Sequence, residues 1–347
     1  MYNVVEEVID DILIKKIKIE TKDLKVVLLS YGAVIMDLQS KNCQGEFESV
    51  VLGYENTAEY LENKGCFGAN VGRVAGRINK GEFTLNGNSY SVDTNSNGNC
   101  LHGGYNGINK RNFSTMYVEE KDSLNVIFTT VQKQEYDHFP GDLNLKITYK
   151  ISKIEGSIKI IYDAVSNKDT LVNLTNHSYF NLRGNYDALI LDETLKIDAD
   201  TFFEEDNNMI PSKVLPVTKV MDFREEKEIG SDIEDSYLIN HSANGYDHYF
   251  RFNERDSDKP QIILTDNFSK RKLSISTTYP GVVMYSFNYP NKEKIMNYNV
   301  VEEKHIGVAL ECQYAPDSIN NKFFEEGILK ANEEFHEEIC YKFEVFC

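Results

Sequence analysis

The chain has 347 residues and carries 55 acidic side chains against 37 Lys and Arg, a formal charge of −18. A surface of that sign repels polyanions, which excludes nucleic acid and anionic membrane as general partners. No apolar run approaches the roughly 18 to 20 residues that span a bilayer, residues 1–19 lack the basic start and apolar stretch of a secretory leader, and six scattered cysteines without a Cys-x-x-Cys pair fit reduced thiols in a cytoplasm.

Ile17 and Ile19 open the first alternation of apolar and polar residues, the mark of a half-buried strand. Asn56 to Glu62 is the best helical segment, with Asn56 placed to cap its first turn. Gly72-Arg73-Val74-Ala75-Gly76-Arg77-Ile78 sets two arginines four apart. That spacing puts both on one face of a helix or a strand, and small neighbours let a ligand approach a guanidinium. Structural salt bridges are the other reading of the pair. The run is not a phosphate loop, because no Gly-Lys-Ser/Thr follows. Asn86-Gly87-Asn88 and Ser96-Asn97-Gly98-Asn99 favour positive φ between strands. In Leu101-His102-Gly103-Gly104 an imidazole stands beside two flexible residues that leave room for a ligand.

Period two is clearest in Leu145, Ile147, Tyr149 and Ile151 and in Ile158, Ile160, Tyr162 and Ala164, joined through Glu155-Gly156-Ser157 as a hairpin with another positive-φ turn. His177 follows within Asn173-Leu174-Thr175-Asn176-His177-Ser178-Tyr179-Phe180-Asn181-Leu182. It is either a hydrogen-bonded core histidine or an imidazole poised to exchange a proton. Ala243-Asn244-Gly245 is a further turn, and Asp247-His248 sets a carboxylate beside an imidazole. Leu273 and Ile275 alternate again. Glu311 ends the apolar run Ile306-Gly307-Val308-Ala309-Leu310, with Gln313 two residues on and facing the same way. A carboxylate there either satisfies nearby backbone donors or serves a purpose, since charge is rarely buried idly. Ile339, Tyr341, Phe343 and Val345 close the chain as a strand.

Strands therefore run from end to end, with no βαβ rhythm, repeat or linker. One all-β domain over residues 1–347 is expected, a large antiparallel sandwich of two sheets. The 21 tyrosines and 19 phenylalanines offer an aromatic lining for a polar pocket. No Gly-x-Ser-x-Gly elbow, His-Glu-x-x-His zinc site or dinucleotide fingerprint is present. A histidine and a glutamate held in apolar, hydrogen-bonding runs are instead the minimum kit for opening and reclosing a sugar ring.

Ser30-Tyr31-Gly32-Ala33, Val51-Leu52-Gly53-Tyr54, Asp222-Phe223-Arg224, Tyr246-Asp247-His248 and Pro316-Asp317-Ser318-Ile319-Asn320, in that order, make the chain resemble the galactose mutarotase (aldose 1-epimerase) family over nearly its whole length. The resemblance implies a galactose mutarotase-like β-sandwich, a small aldohexose such as galactose or glucose as substrate, no cofactor or metal, and a monomer or homodimer. By motif position it implies Glu311 as catalytic base and His177 as catalytic acid. Arg77, His102 and Asp247 would bind sugar, and Tyr179 would line the pocket. Three positions depart from the family: Gly76 where an asparagine is common, Val283 where some members carry glutamine, and Phe113 for a stacking tryptophan. The acid role asks that His177 be protonated at neutral pH in a useful fraction of complexes, which a nearby carboxylate favours. Two alternatives accompany this reading: a glycoside hydrolase built on Glu311 and Asp247, and a sugar-binding protein with the same fold and no activity.

Overall fold

The computed structural model describes residues 1–241, 244–256, 258–292, 295–321 and 326–346. Two large antiparallel sheets face one another across the core. The nine-stranded sheet runs in the order Ser114–Glu119, Ser123–Gln132, Leu143–Ser152, Ser157–Ser166, Glu334–Val345, Arg271–Thr277, Ile262–Asp266, Thr194–Ile197 and Lys227–Glu228. The six-stranded sheet runs Tyr179–Phe180, Val308–Gln313, Gly281–Tyr285, Asp247–Arg251, Thr201–Glu205 and Pro211–Pro216. A five-stranded sheet built from residues between Tyr2 and Ser49 completes the frame.

The expected alternations lie where the sequence places them. Leu145, Ile147, Tyr149, Ile158, Ile160, Tyr162, Leu273, Ile275, Ile339 and Tyr341 are all buried in one apolar cluster, and Val345 alone of the terminal series is exposed. On the opposing sheet the even-numbered residues Phe202, Phe250, Val282, Met284, Leu310 and Cys312 enter that same cluster. Successive side chains of a strand point to opposite faces. The odd-numbered residues of those strands therefore share the outer face, away from the nine-stranded sheet. That face is covered too: all six residues of Val308–Gln313 are buried.

Several local expectations need correction. The helix runs only from Glu59 to Glu62, and Asn56 offers its main-chain oxygen to the Glu59 N–H, not a side-chain cap. The segment leading to Arg77 is neither helix nor strand, and Gly76 turns it with a φ of +72°, so Arg73 and Arg77 do not share a face. Gly103 does not leave room for a ligand, since a Cβ there would lie 2.0 Å from the Gly72 oxygen; Gly104 does line a cavity, although a Cβ on it would lie 2.8 Å from Asp93. They let two turns touch. Phe113 lies in the core against Phe128. Asn97 and Gly98 have the expected positive φ, whereas Gly156 turns its hairpin without one. Asn244 and Gly245 join the helix Ser236–His241 to Asp247–Arg251. Ala243 and Cys347 lie outside the described residues.

Candidate active site

A cavity of about 820 Å³ opens on the outer face of the six-stranded sheet, with Glu311, Gln313, Val283, Tyr285, Asp247 and Glu205 supplied by its strands. All six are odd-numbered, so strand alternation alone delivers them to one side. Register sets their lateral order: Glu311 lies opposite Val283, and Asp247 opposite Tyr285. The remaining wall comes from the short strand pair Arg77–Ile78 and Cys100–Leu101 and from the turns that carry His102 and His177. All six residues expected at a site, Glu311, His177, Arg77, His102, Asp247 and Tyr179, thus line one cavity.

His177 sits between the short strands Thr175–Asn176 and Tyr179–Phe180. Thr175–Asn176 pairs with Asn70–Val71, and the His177 main chain continues the contact, its N–H donating to Ala69 and its oxygen accepting from Gly68. The Asn176 amide donates to the Gly68 oxygen at 3.0 Å. Beneath the imidazole Tyr179 packs at 4.9 Å between centroids, itself braced by Phe67 and Phe287. The polar residues around His177 thus fix its backbone, and the aromatic ones fix its ring.

His177 Nε2 lies 3.4 Å from Glu311 Oε1, with both side chains nearly fully buried. Burial lowers the imidazole to about 4 and raises the carboxyl to about 8, the latter helped by the Asp247 charge and opposed by Arg77. In the free protein near neutral pH the pair therefore holds one proton, resting on the carboxyl side. His177 Nδ1, Glu311 Oε2 and Gln313 Oε1 have no partner among the described residues. Buried polar atoms are rarely left so, and here they face a cavity.

Asn173 clamps the walls together. Its amide donates to the oxygens of Ala75 and Tyr314, and its side-chain oxygen accepts from the Tyr314 N–H. The turn before Arg77 is thereby tied to the end of the Glu311 strand. Arg77 reaches Asp247 at 3.9 Å and Met209 Sδ at 3.3 Å. Burial raises the Asp247 carboxyl, and Arg77 holds that rise back. His102 Nδ1 accepts the Gly76 N–H at 3.2 Å, which leaves Nε2 as the N–H donor. Burial, with His177 and Arg77 nearby, keeps this ring neutral.

Arg73 has the other role foreseen for the pair. Fully buried, it forms a fork with Asp137 at 3.0 and 3.1 Å and donates to the oxygens of Gln132, Pro140 and Gly141. His248, one residue past Asp247, points to the other face and packs on Phe202 and Tyr237. Glu205 and Met209 line the cavity without having been singled out. Glu204-Glu205-Asp206 reads as a solvated charge run, and only the period-two step from Phe203 reveals that Glu205 turns inward. His102, His177 and Glu311 place one ligating atom each within 4.8 Å of one another, a spacing that a metal ion could also use.

Fold and cavity together define a β-sandwich protein with a buried histidine–glutamate pair in a small-molecule pocket. The sequence profile of the aldose 1-epimerase family matches residues 15–342. Galactose mutarotase of Mus musculus is 34% identical over 334 residues, 96% of this chain and 94% of that protein. Aldose 1-epimerase of Haemophilus influenzae is 30% identical over 74% of each chain. The crystal structure of galactose 1-epimerase from Lactobacillus acidophilus superposes with a TM-score of 0.88 at 27% identity, covering 100% of this chain and 99% of that one. The chain belongs to the aldose 1-epimerase family. It is an isomerase that interconverts sugar anomers.

Proposed function

We propose that the substrate is a free aldohexose, with D-galactose and D-glucose foremost. In this reading Glu311 and His177 exchange the protons, Arg77, His102 and Asp247 hold the ring, and Tyr179 supports the imidazole, all within one domain of the whole chain. The observation that carries it is the 3.4 Å approach of His177 Nε2 to Glu311 Oε1 at a buried cavity wall, each group keeping a second polar atom without a partner among the described residues. The cavity volume lies within the range of small-molecule sites.

Mutarotation moves one proton off O1 and one onto O5, breaks the C1–O5 bond, lets the aldehyde turn, and reverses both transfers. Glu311 as carboxylate takes the O1 proton, and His177 as imidazolium delivers one to O5. The proton resting on Glu311 crosses the short gap to His177 as those roles are taken up. His102 Nε2–H and the Arg77 guanidinium stabilise negative charge growing on oxygen, and Asp247 accepts from hydroxyls and orients Arg77. Each proton-transfer group contributes about 10²- to 10⁴-fold, which suffices for a reaction that already proceeds in water.

The net charge of −18 argues against nucleic acid or anionic membrane as partner. The five cysteines among the described residues are unpaired, which supports a reducing cytoplasm. Among the described residues no helix is long and apolar enough to cross a membrane. Polarimetry on freshly dissolved α-D-galactose and α-D-glucose tests the reading. Wild-type protein is expected to speed relaxation of optical rotation, and Glu311→Gln to return it to the buffer rate. A fully active Glu311→Gln would remove Glu311 from the chemistry.

A further inference from the structure

Glu205 is not among the groups that hold the ring in the reading above, yet it enters the same cavity. It ends the strand Thr201–Glu205, where Phe203 packs against Tyr249 and Val283 on the outer face. Two residues on, Glu205 points the same way. The register against the neighbouring strand shifts between Glu204 and Glu205 with Ser212 as the extra residue on that partner, so the strand of Glu205 itself keeps its alternation. On its other side Thr201 and Phe202 pair with Arg251 and Phe250, and continuing that register sets Glu205 alongside Asp247. Glu205 Oε2 is buried and has no partner among the described residues. Gln313, fully buried on the opposite side of the cavity, also presents an unpartnered oxygen.

The strands of Glu311 and Glu205 are separated by two others, a lateral span of about 14 Å between backbones. Two glutamate side chains reaching across it leave room for a single pyranose ring, with Arg77 and Asp247 between them. Cavity charge narrows the ligand further. Glu205, Asp247 and Glu311 face one guanidinium, while the rim cations are engaged elsewhere: Lys64 with Glu62 at 2.9 Å, and Lys110 with the oxygens of Leu61 and Glu62. A phosphate or carboxylate on the far side of the ring would meet carboxyls, whereas a hydroxyl would meet an acceptor.

We propose that Glu205 is a specificity-determining residue that binds a hydroxyl on the side of an uncharged aldose remote from C1 and O5. This rests on the mutarotase reading of the cavity. Burial beside Asp247 favours the protonated acid, which both accepts and donates, as a sugar hydroxyl does.

The test is steady-state polarimetry with D-galactose and its 3-deoxy, 4-deoxy and 6-deoxy analogues, using wild type, Glu205→Ala and Glu205→Gln. Glu205→Ala is expected to raise KM for galactose about tenfold with kcat changed by less than about threefold. One analogue should lose about tenfold in kcat/KM with wild type and almost nothing with Glu205→Ala, since the pair is then already broken. Glu205→Gln, which keeps an acceptor and a donor, should restore most of the galactose KM. Equal losses for every analogue in wild type and Glu205→Ala, or an unchanged KM, would overturn the assignment. Calorimetric binding of the same sugars to the same variants separates the two readings. Should wild type fail to speed mutarotation, the mutarotase reading falls, and the Glu205 assignment then stands or falls on whether one analogue alone loses affinity.

Discussion

Varying pH adds or removes the one proton shared by His177 and Glu311, and the structure sets where each limb of activity should fall. Taken singly, the imidazole at about 4 and the carboxyl at about 8 differ by an amount worth about 5 kcal/mol at 1.36 kcal/mol per unit. That is the cost of moving the proton from Glu311 to His177 if the resulting charges ignored one another. Across 3.4 Å their attraction returns about 5 kcal/mol at an effective dielectric constant of about 20. The two protonated arrangements are therefore close in energy, and the carboxylate–imidazolium form needed for ring opening is within thermal reach. Below about 4 the pair holds two protons and has no base; above about 8 it holds none and has no acid. The rate kcat/KM should be level from about pH 5 to 7.5 and fall tenfold per unit beyond about 8, the limbs belonging to the pair jointly. Polarimetry corrected for buffer and hydroxide catalysis reads this profile. In Asp247→Asn, which removes a charge that raises Glu311, the alkaline limb should move to lower pH. A level profile to pH 9.5, or a limb that moves upward in that variant, would refute the shared-proton account.

Stability should register the same buried groups. Glu311 is raised in the folded protein to about 8, so its contribution is intact below the ordinary carboxylate value and is lost as pH climbs through 8. Glu311→Gln escapes that loss and should gain about 2 to 5 kcal/mol relative to wild type between pH 5 and pH 9, read from urea melts at both values; a constant difference would contradict the assignment. Arg73→Ala strands the buried Asp137 carboxylate and should cost about 3 to 5 kcal/mol, and a melt within 1 kcal/mol of wild type would show that the pair is not structural. Gly103→Ala, at a φ of +86° with its Cβ pressed on the Gly72 oxygen, should destabilise by about 3 kcal/mol and reduce kcat/KM by shifting His102. Normal melting and normal kinetics together would refute that packing.

Legibility followed burial pattern. Strands with one polar neighbour face, such as Leu143–Ser152, announce themselves by alternation, and the nine-stranded sheet could be sketched from such runs. The central strands of the six-stranded sheet are buried on both faces, so Asp247–Arg251 and Gly281–Tyr285 carry no alternation. Their placement emerges only from pairing partners far along the chain. Glu311 was visible as a charge ending an apolar run, whereas Glu205 was hidden in a run of acids that looks solvated. The two arginines show the limit of spacing arguments: four residues apart means one face only in regular structure, and Gly76 breaks that premise. Gly103 misleads for a related reason, since a sequence shows that a side chain is missing and not what fills the space.

The distribution of groups between sheet and loops also bears on how the site can vary. Glu311 and Asp247 stand on strands paired on both sides, so their positions are set by main-chain hydrogen bonds and core packing. Rigid elements hold reacting groups more closely than loops do. Arg77 opens a two-residue strand paired with Cys100–Leu101, His102 follows it in a turn, and both are joined by Gly76 and tied to the sheet through Asn173. A change in those segments shifts the ring-holding donors while leaving the proposed base in place, and should act on KM and sugar preference. A change in the Glu311 strand disturbs the 3.4 Å contact with His177 and should act on kcat. Glu205 falls between these regimes, at the end of its strand and opposite a bulge in the neighbouring one. That is where a sheet can alter one side chain's direction without disturbing the register of its neighbours, and so where substrate preference can change while the proton pair remains as it is.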